Sequence, residues 1–327
     1  MRVVLWRRAQ RCLALLCGKH LRGALFLLAA IVGAGFALAG DTAAVEAQEY
    51  SAYSDPERTA ISFILSEDQN VEAFQEEFGL SDEQIEEVLA AVLRENEALA
   101  KAYAESEQIV EANEELPQEQ IAQKITASGY HEQVRAAIAE TKSSIEGMLP
   151  EDRRAELKTW VDSKFALEDQ EFSDASVATD QVSVAGRRGL KCRVFATQYH
   201  GYTRREVALP NVQLKRQGGY NVRLRRGGHK AKVRVKEVGP WNIYDNYWNA
   251  RRSYERMNRW DHLRHLPRCT PWAQAAYFRN YNRGKDQYGR RVTNPAGVDL
   301  TPRVARALGL RKYQNAWVYV RYPWVRR

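Results

Sequence analysis

Carboxylates are scarce in the C-terminal half of the chain, so each one there is a candidate for acid–base chemistry. Residues 181–327 contain seven Asp and Glu against 33 Lys and Arg. The seven are Glu206, Glu237, Asp245, Glu255, Asp261, Asp286 and Asp299. A carboxyl group whose pKa lies near neutrality can donate a proton to a substrate and later take one back. General acid–base catalysis is therefore the chemistry that these residues could perform.

Glu237 ends the alternating run KAKVRVKEV and precedes Gly-Pro-Trp. Successive side chains of a strand point to opposite faces, so Glu237 shares a face with Ala231, Val233 and Val235. This alternation predicts that Glu237 lies on the buried side of the strand. A buried carboxylate must be paired, hydrogen-bonded or protonated with a raised pKa. Glu237 is thus either a salt-bridged structural residue or the acid of a cleft.

Aromatic residues are concentrated after Glu237. Residues 239–294 show no clean period before TPWAQAAYFRNYN, which predicts one short helix, and so long an excursion is typical of a functional loop. Flat rings with polar rims suit the C–H faces of sugars. The candidates for sugar binding are Trp241, Tyr244, Tyr247, Trp248 and Trp260, with Asp245 among them as a polar contact and a third candidate acid. The alternative is a second small core that covers the sheet, and we expect at least half of these rings to serve it.

The N-terminus has the composition of an export signal. A basic lead precedes the apolar run ALFLLAAIVGAGFALA, which ends in the small-residue triplet Ala37-Leu38-Ala39. We predict a signal peptide over residues 1–39 and a flexible segment over residues 40–54, with a retained membrane anchor as the alternative. Either reading places the rest of the chain outside the cytosol.

Removal of the leader leaves Cys192 and Cys269, which can form one disulfide in an oxidising compartment. The six histidines include no HExxH pattern, and His262 and His265 lie among arginines. We predict no metal site and no cofactor.

The net charge of +8 conceals two oppositely charged halves. Residues 48–180 hold 32 Asp and Glu against 10 Lys and Arg, a formal charge of −22, while residues 181–327 carry +26. We predict an acidic helical domain over residues 55–172, a linker over residues 173–189 and a basic domain over residues 190–327. The opposite charges predict that the two halves attract each other.

The acidic half shows helical periodicity and little chemistry. Apolar residues recur every three or four positions in LSDEQIEEVLAAVLRENEALAKAY, and Ser81 with Gln84 forms a capping box, flanked by the staple pair Leu80 and Ile85. Further helices are predicted over His131–Met148 and from Pro150 onward. We expect an antiparallel bundle or hairpin of three to five helices whose many Glu residues form solvated faces.

The basic half changes to a period of two. CRVFATQY, NVQLK, NVRLRR and KAKVRVKEV predict short strands, and Gly227-Gly228 predicts a hairpin turn. NPAGVDLTPRVARALGL then predicts a turn and a helix, with Asp299 or Thr301 able to cap it and Pro302 in its first turn. AWVYVRYPW predicts a closing strand.

This order of elements resembles the double-psi β-barrel of the rare lipoprotein A-type septal lytic transglycosylases and of the expansins. The resemblance covers about residues 190–325 and rests on KEVGPW at 236–241 and AGVDLTPRVARALGL at 296–310. It implies a six-stranded barrel whose groove binds, loosens or cleaves cell-wall polysaccharide. The fold class that we predict is therefore an acidic helical bundle followed by a double-psi β-barrel with a long aromatic loop insertion.

Residue roles follow from the resemblance by position. Asp299 matches the acid of the family's Asp-Leu-Ser stretch and is our first choice for the proton donor, with Glu237 beside it as modulator or alternative acid. Tyr199 loosely matches an aromatic residue near the first strand. The chain departs from the family because Glu stands at 237 where Asp is usual, and because the loop between the two motifs is longer.

These features lead to three hypotheses for function. The first is a secreted protein that binds peptidoglycan or another anionic wall polymer and cleaves it with one carboxylic acid, as a lytic transglycosylase does; a hydrolase needs two carboxyl groups about 5–9.5 Å apart. The second is a non-catalytic, expansin-like binding module. The third is nucleic-acid binding, which the pI of about 9.3 favours and the export signal opposes. A membrane is expected as a partner only through an uncleaved leader.

Overall fold

The computed structural model describes residues 51–181, 189–199, 204–239, 241–249, 266–312 and 314–325. The predicted signal peptide and most of the predicted flexible segment 40–54 lie outside these ranges. Residues 51–54, however, are anchored to the helices. Ala52 and Tyr53 are buried, and the backbone N–H of Tyr53 donates to the Asp162 carboxylate at 3.0 Å. The C-terminal end of that segment is therefore part of the fold.

Residues 51–181 are helical. The helices are α1 (Ala60–Ile64), α2 (Asp68–Phe78), α3 (Asp82–Glu111), α4 (Gln118–Ala127), α5 (Tyr130–Met148) and α6 (Glu151–Gln181). The predicted capping box is present, because Ser81 accepts from the backbone of Gln84 and the Gln84 side chain accepts from the backbone of Ser81. Leu80 and Ile85 are both buried, as the hydrophobic staple requires. Six helices, one more than the upper expectation, fill this segment.

Helix α6 continues through the first nine residues of the segment predicted to be a linker. Residues 182–188, the rest of its interior, lie outside the described ranges. The Ser, Asp and Ala residues of this stretch are compatible with the end of a helix. The helix end is not predicted from the sequence because the stretch lacks a sustained apolar period. Residues 173–181 of the predicted linker are therefore helical.

The C-terminal half contains a closed barrel of six strands. Its elements are β1 (Leu190–Gln198), β2 (Glu206–Leu209), α7 (Val212–Gln217), β3 (Asn221–Arg226), β4 (His229–Val238), α8 (Trp272–Arg279), β5 (Val298–Leu300), α9 (Pro302–Ala307) and β6 (Ala316–Tyr322). The strand order around the barrel is β1-β5-β2-β4-β3-β6. The pairs β1–β5 and β2–β4 are parallel and the other four pairs are antiparallel.

Local signals located most of these elements. The prediction of a strand in NVQLK is wrong, because Val212–Gln217 form α7, which begins where the Asn211 side chain accepts from the backbone N–H of Gln213. The β3–β4 hairpin turns at Gly227, whose φ of 51° is a backbone conformation that glycine adopts without cost. The short helix predicted in TPWAQAAYFRNYN is α8, and the closing strand is β6. Helix α9 begins with Pro302 at its N-terminus, as expected. Its N-cap is Thr301, but the Thr301 hydroxyl donates to the Glu206 carbonyl at 3.0 Å instead of capping the helix.

The helices and the barrel share one hydrophobic core. Phe63 of α1 packs against Phe195 of β1 and Tyr277 of α8, with ring centroids 5.1 Å apart in both pairs. On the same side of the barrel, the Trp317 indole of β6 donates to Glu168 of α6 at 3.0 Å. Residues 51–327 thus form one compact unit, and the hydrophobic cluster around Phe63 lies between the helices and the barrel.

Ion pairs join the acidic helices to the basic half at several points. The pairs are Asp55–Arg291, Asp68–Arg311, Glu107–Arg290, Asp169–Arg279 and Glu171–Arg193. Each takes its carboxylate from the helical segment and its cation from the basic segment. The opposite charges of the two halves therefore meet within one molecule.

Cys192 of β1 and Cys269, just before α8, form a disulfide with Cα atoms 5.2 Å apart. The bond closes a loop of 77 residues between the first strand and the segment leading to α8. Because a crosslink reduces the entropy of the unfolded chain, we expect Cys192→Ala with Cys269→Ala to lower the free energy of unfolding by about 3 kcal/mol. Urea denaturation would measure the change.

The matched control for this prediction is the wild-type chain unfolded in the presence of reductant, which should lose a similar amount of stability. A double variant as stable as the oxidised wild type would contradict a stabilising role for the bond.

Candidate functional site

Asp299 lies on the outer face of the barrel. Its neighbours in β5, Val298 and Leu300, are buried in the barrel interior, so alternation directs Asp299 outward. Gly297 permits this arrangement, because a Cβ there would lie 2.7 Å from the Cβ of Val194. The Gly297 N–H donates to the Phe195 carbonyl at 2.8 Å. The AGVDL motif therefore needs its glycine to bring β5 against β1.

The surroundings of Asp299 favour a protonated carboxyl. Its side chain is only 6% exposed although it faces out of the barrel. Burial raises the pKa of Asp299 to about 7, against the smaller lowering effect of a hydrogen bond that its Oδ1 accepts from the Thr197 hydroxyl. An acid with this pKa is protonated in a large part of the population at neutral pH and can give up its proton.

Four residues form a row across four strands. Asp299 pairs with Thr197 of β1 on one side and with Ala208 of β2 on the other, and Ala208 also pairs with Glu237 of β4. Since neighbouring strands lie about 4.8 Å apart, the Cα atoms of Asp299 and Glu237 are about 10 Å apart. The structure thus brings the two predicted acids onto one row.

Glu237 reaches this row through a β-bulge. The register of β2 against β4 shifts between Val207 and Ala208, so that Val207 pairs with Val235 but Ala208 pairs with Glu237. The extra residue, Lys236, breaks the alternation that predicted Glu237 on the buried side with Val235. Glu237 is half-buried instead. The prediction of a buried Glu237 is wrong because a bulge cannot be recognised from alternation alone.

Gly239 directs the chain away from the barrel after Glu237. Its N–H donates to the Leu209 carbonyl at 2.9 Å, and a Cβ would lie 3.3 Å from the carbonyl carbon of Leu209. The glycine of the KEVGPW motif therefore allows β4 to end tightly against β2. Trp241 follows with a φ of 71°, an uncommon value for a residue with a side chain.

Three predicted sugar-stacking residues are buried. Trp241 is 2% exposed, packs edge-on against Tyr103 of α3 and donates from its indole to Asn294 at 3.1 Å. Tyr247 and Trp248 lie in the barrel core, where Trp248 stacks on Tyr322 with ring centroids 5.2 Å apart. These rings belong to the covering core that was the alternative expectation, and none of them presents a face to a polymer in this conformation.

The remaining predicted sugar contacts in this segment are Asp245, Tyr244 and Trp260. Asp245 is 3% exposed and accepts from the backbone N–H of Trp272 at 2.6 Å, which fixes the start of α8. This contact gives Asp245 a structural role at the start of α8, and its roles as a sugar contact or third acid stay predictions. Tyr244 is half-buried and forms an isolated backbone bridge with Asn211. Trp260 lies outside the described residues.

Tyr199 remains near the row. It follows β1 two positions after Thr197, is half-buried, and its N–H donates to the Leu300 carbonyl at 3.2 Å. Thr197 itself was not predicted. The available signal was the alternation of CRVFATQY, which places Thr197 on the face opposite Val194 and Ala196 and therefore away from the barrel interior.

The described ranges contain no cluster of metal ligands and no membrane-spanning helix. No group of three or more His, Cys, Asp or Glu side chains there is arranged to hold a metal ion. Within the same residues, no helix combines the length and apolar character needed to cross a membrane.

The sequence comparisons give one match. A family described as a domain of unknown function (DUF8814) matches residues 179–321, which include the first five strands and all of β6 except its last residue. No curated protein and no solved structure matches the chain. The matched segment is similar to this family over less than half of the chain, and it contains every residue of the Asp299 row.

Proposed function

We propose that the protein is exported and that its barrel, of the double-psi type, binds and cleaves a cell-wall polysaccharide with Asp299 as the proton donor. The observation that carries this proposal is the raised pKa of Asp299. Its carboxyl lies on the outer face of the barrel, and burial raises the pKa of that carboxyl to about 7. Protonated carboxyls at neutral pH are what general-acid cleavage of a glycosidic bond requires.

The topology supports the double-psi assignment. The barrel is closed and mixed, and each of its two parallel pairs joins strands that are not consecutive in the chain, β1 with β5 and β2 with β4. Asp299 stands on the short strand that precedes α9, as the acid does in the family that AGVDLTP resembles. The long segment between β4 and β5 is the loop insertion that we propose, and its described aromatic residues cover the barrel.

Export is supported by the leader and by the disulfide. The apolar run and small-residue triplet of residues 24–39 have the order of a signal peptide. The Cys192–Cys269 bond fits an oxidising compartment, where disulfides persist. Outside the cell, a polymeric wall offers both glycosidic bonds and anionic groups to a strongly basic barrel.

The chemistry needs one acid that acts twice. Asp299 gives its proton to the glycosidic oxygen as the bond from that oxygen to the anomeric carbon breaks. The resulting carboxylate then takes a proton from a hydroxyl of the same sugar, whose oxygen forms the new bond to the anomeric carbon. Thr197 orients Asp299 through its hydrogen bond, while Glu237 and Tyr199 flank the position where the polymer lies.

The burial of Asp299 favours a second candidate function. At 6% exposure the carboxyl offers little surface to a glycosidic oxygen, so a polymer must displace covering atoms before it can react. An expansin-like module that binds and loosens a polymer without cleaving it needs no such access. The same surface serves both functions, and product analysis distinguishes them.

The proposal is tested with the chain from residue 40 onward and purified peptidoglycan. We expect soluble fragments with anhydro-sugar ends, detected by mass spectrometry, and a loss of product formation of about 10²–10⁴-fold in Asp299→Asn. Glu237→Gln should reduce product formation less, because Glu237 acts beside the acid.

Glu95→Gln is the matched control. Glu95 is also a buried carboxyl with a pKa raised by burial to about 7, but it lies on α3, where it accepts from the Ser62 hydroxyl. Its replacement should leave product formation unchanged. Sedimentation with peptidoglycan but no product from the wild type would establish the binding module, and equal losses in Glu95→Gln and Asp299→Asn would reject a specific role for Asp299.

A further inference from the structure

A dense positive surface covers the side of the barrel away from the Asp299 row. The row runs along β1, β5, β2 and β4, whereas this surface is the outer face of β1, β6, β3 and β4. On these strands the apolar side chains point into the barrel and the polar ones point out. We call this surface the cationic face; it consists of Lys191, Arg223, Arg225, Lys230, Lys232, Tyr319 and Arg321.

The strand register arranges these residues in two rows. Lys191, Arg321, Arg223 and Lys232 pair successively across the four strands. The next row has Tyr319, Arg225 and Lys230 on β6, β3 and β4. With strands about 4.8 Å apart and alternate residues about 7 Å apart along a strand, six cations occupy roughly 15 by 7 Å at their Cα atoms.

The cations of this face have no counter-ion within the described part of the chain. None of the ion pairs formed there includes Lys191, Arg223 or Arg321, nor the three other cations. Partial burial, and then the positive charges of Arg225 and Arg321, lower the pKa of Lys191. Its ammonium lies 3.7 Å from the centre of the Tyr319 ring. Like charges held this close repel each other, and a bound anion would relieve that repulsion.

The chemistry of the face suits phosphate groups. Arginine forks form bidentate hydrogen bonds with phosphate oxygens, and lysines add point charges. Between these side chains is an open cleft of about 410 Å³. A row of four cations across the strands offers repeated contacts to an anion that repeats along a line.

Two other polyanionic partners fit the face less well. Proteins that bind single-stranded nucleic acid stack successive bases on several aromatic rings, but Tyr319 is the one aromatic residue of this face and Lys191 lies over its ring. Amphipathic helices that bind membrane surfaces insert a row of large apolar side chains, whereas Tyr319 is the one large hydrophobic side chain of this face.

We propose that the cationic face binds a linear polymer with a phosphodiester in each repeat, such as a polyol phosphate. This binding site is separate from the Asp299 row and does not depend on the proposed cleavage. It would hold the barrel on a phosphate-bearing polymer without occupying the Asp299 row on the opposite side of the barrel.

The test uses the chain from residue 40 onward and inorganic polyphosphate of defined length as the probe. We expect Arg223→Gln with Arg321→Gln to weaken polyphosphate binding by about tenfold or more and to reduce the slope of log K against log salt by about 2. The matched control is Arg303→Gln with Arg306→Gln, which removes two exposed arginines from α9 in the same basic half.

Urea denaturation first establishes that both double variants are folded. Equal losses of affinity in the two double variants would overturn the proposal, because net charge alone would then explain binding. Tighter binding of single-stranded DNA, or of vesicles containing anionic lipid, than of polyphosphate at the same salt concentration would also overturn it. Asp299→Asn should bind polyphosphate as the wild type does, so failure of this proposal is distinct from failure of the proposed cleavage.

Discussion

Arg290→Ala is expected to lower the free energy of unfolding by about 4 kcal/mol, because it leaves a buried carboxylate without its cation. Arg290 and Asp286 are both fully buried, with Nε and Oδ2 2.7 Å apart. Arg290 also donates to Ser106 at 3.0 Å and to Glu107, both on α3, and lies over the Tyr103 ring at 4.6 Å. One side chain thus joins the barrel segment to α3 of the acidic half. Urea denaturation at neutral pH measures the loss.

Arg311→Ala is the matched control for this prediction. Arg311 also pairs across the two halves, with Asp68, but its side chain is 72% exposed. An exposed pair contributes roughly 0–1 kcal/mol, so this variant should be nearly as stable as the wild type. A second variant, Asp286→Asn in the Arg290→Ala background, should recover part of the loss because it removes the unpaired charge. Equal losses of unfolding free energy in Arg290→Ala and Arg311→Ala would refute the idea that burial makes the Arg290 pair the more important of the two for stability.

Asp299→Asn is expected to stabilise the protein at neutral pH but not at acidic pH. The carboxyl has a pKa of about 7 in the folded chain and about 3.9 when unfolded. The wild type therefore keeps a proton on Asp299 that the unfolded chain releases, and its stability falls as the pH rises from about 4 to 7. Asparagine has no such proton, so the variant should gain up to about 4 kcal/mol over the wild type between pH 4 and pH 7.

The measurement is urea denaturation of both proteins at a series of pH values from 4 to 8. Burial also raises the pKa of Glu67 and of Glu95 to about 7, but these groups titrate in both proteins and cancel in the difference. A difference in stability that stays flat over this range would show that Asp299 is ionised in the folded chain at neutral pH, and would remove the physical basis for its role as proton donor.

Local signals in the sequence located most elements of the fold, although NVQLK, predicted to be a strand, forms the start of α7. The capping box of Ser81 and Gln84, the turn at Gly227 and the proline at the start of α9 act within a few residues of each other, so a single sequence reveals them. The length of α6 was missed because its last turns lack an apolar period. Closure of the barrel depends on pairing between distant strands, which no local signal contains.

The residues of the candidate site were predicted better than their positions in the structure. Asp299 was chosen from its motif, and the structure adds the Thr197 hydrogen bond and the burial that raises its pKa. Glu237 was placed on the wrong face because the bulge at Lys236 depends on how β4 pairs with β2. Trp241 resembled an exposed platform in the sequence, yet its ring packs on Tyr103, a residue almost 140 positions earlier.

The shared core has a consequence for how this chain can be recombined with others. The family match covers the barrel but not the helices of residues 51–178, while Phe195 and Trp317 on the barrel's outer face are buried against those helices. A barrel expressed from the family boundary onward, without the helices, would expose these two aromatic side chains. Such an exposed aromatic strip is prone to self-association. Any chain that uses this barrel with Phe195 and Trp317 retained needs its own cover for that strip, so fusion designs should transfer residues 51–327 together.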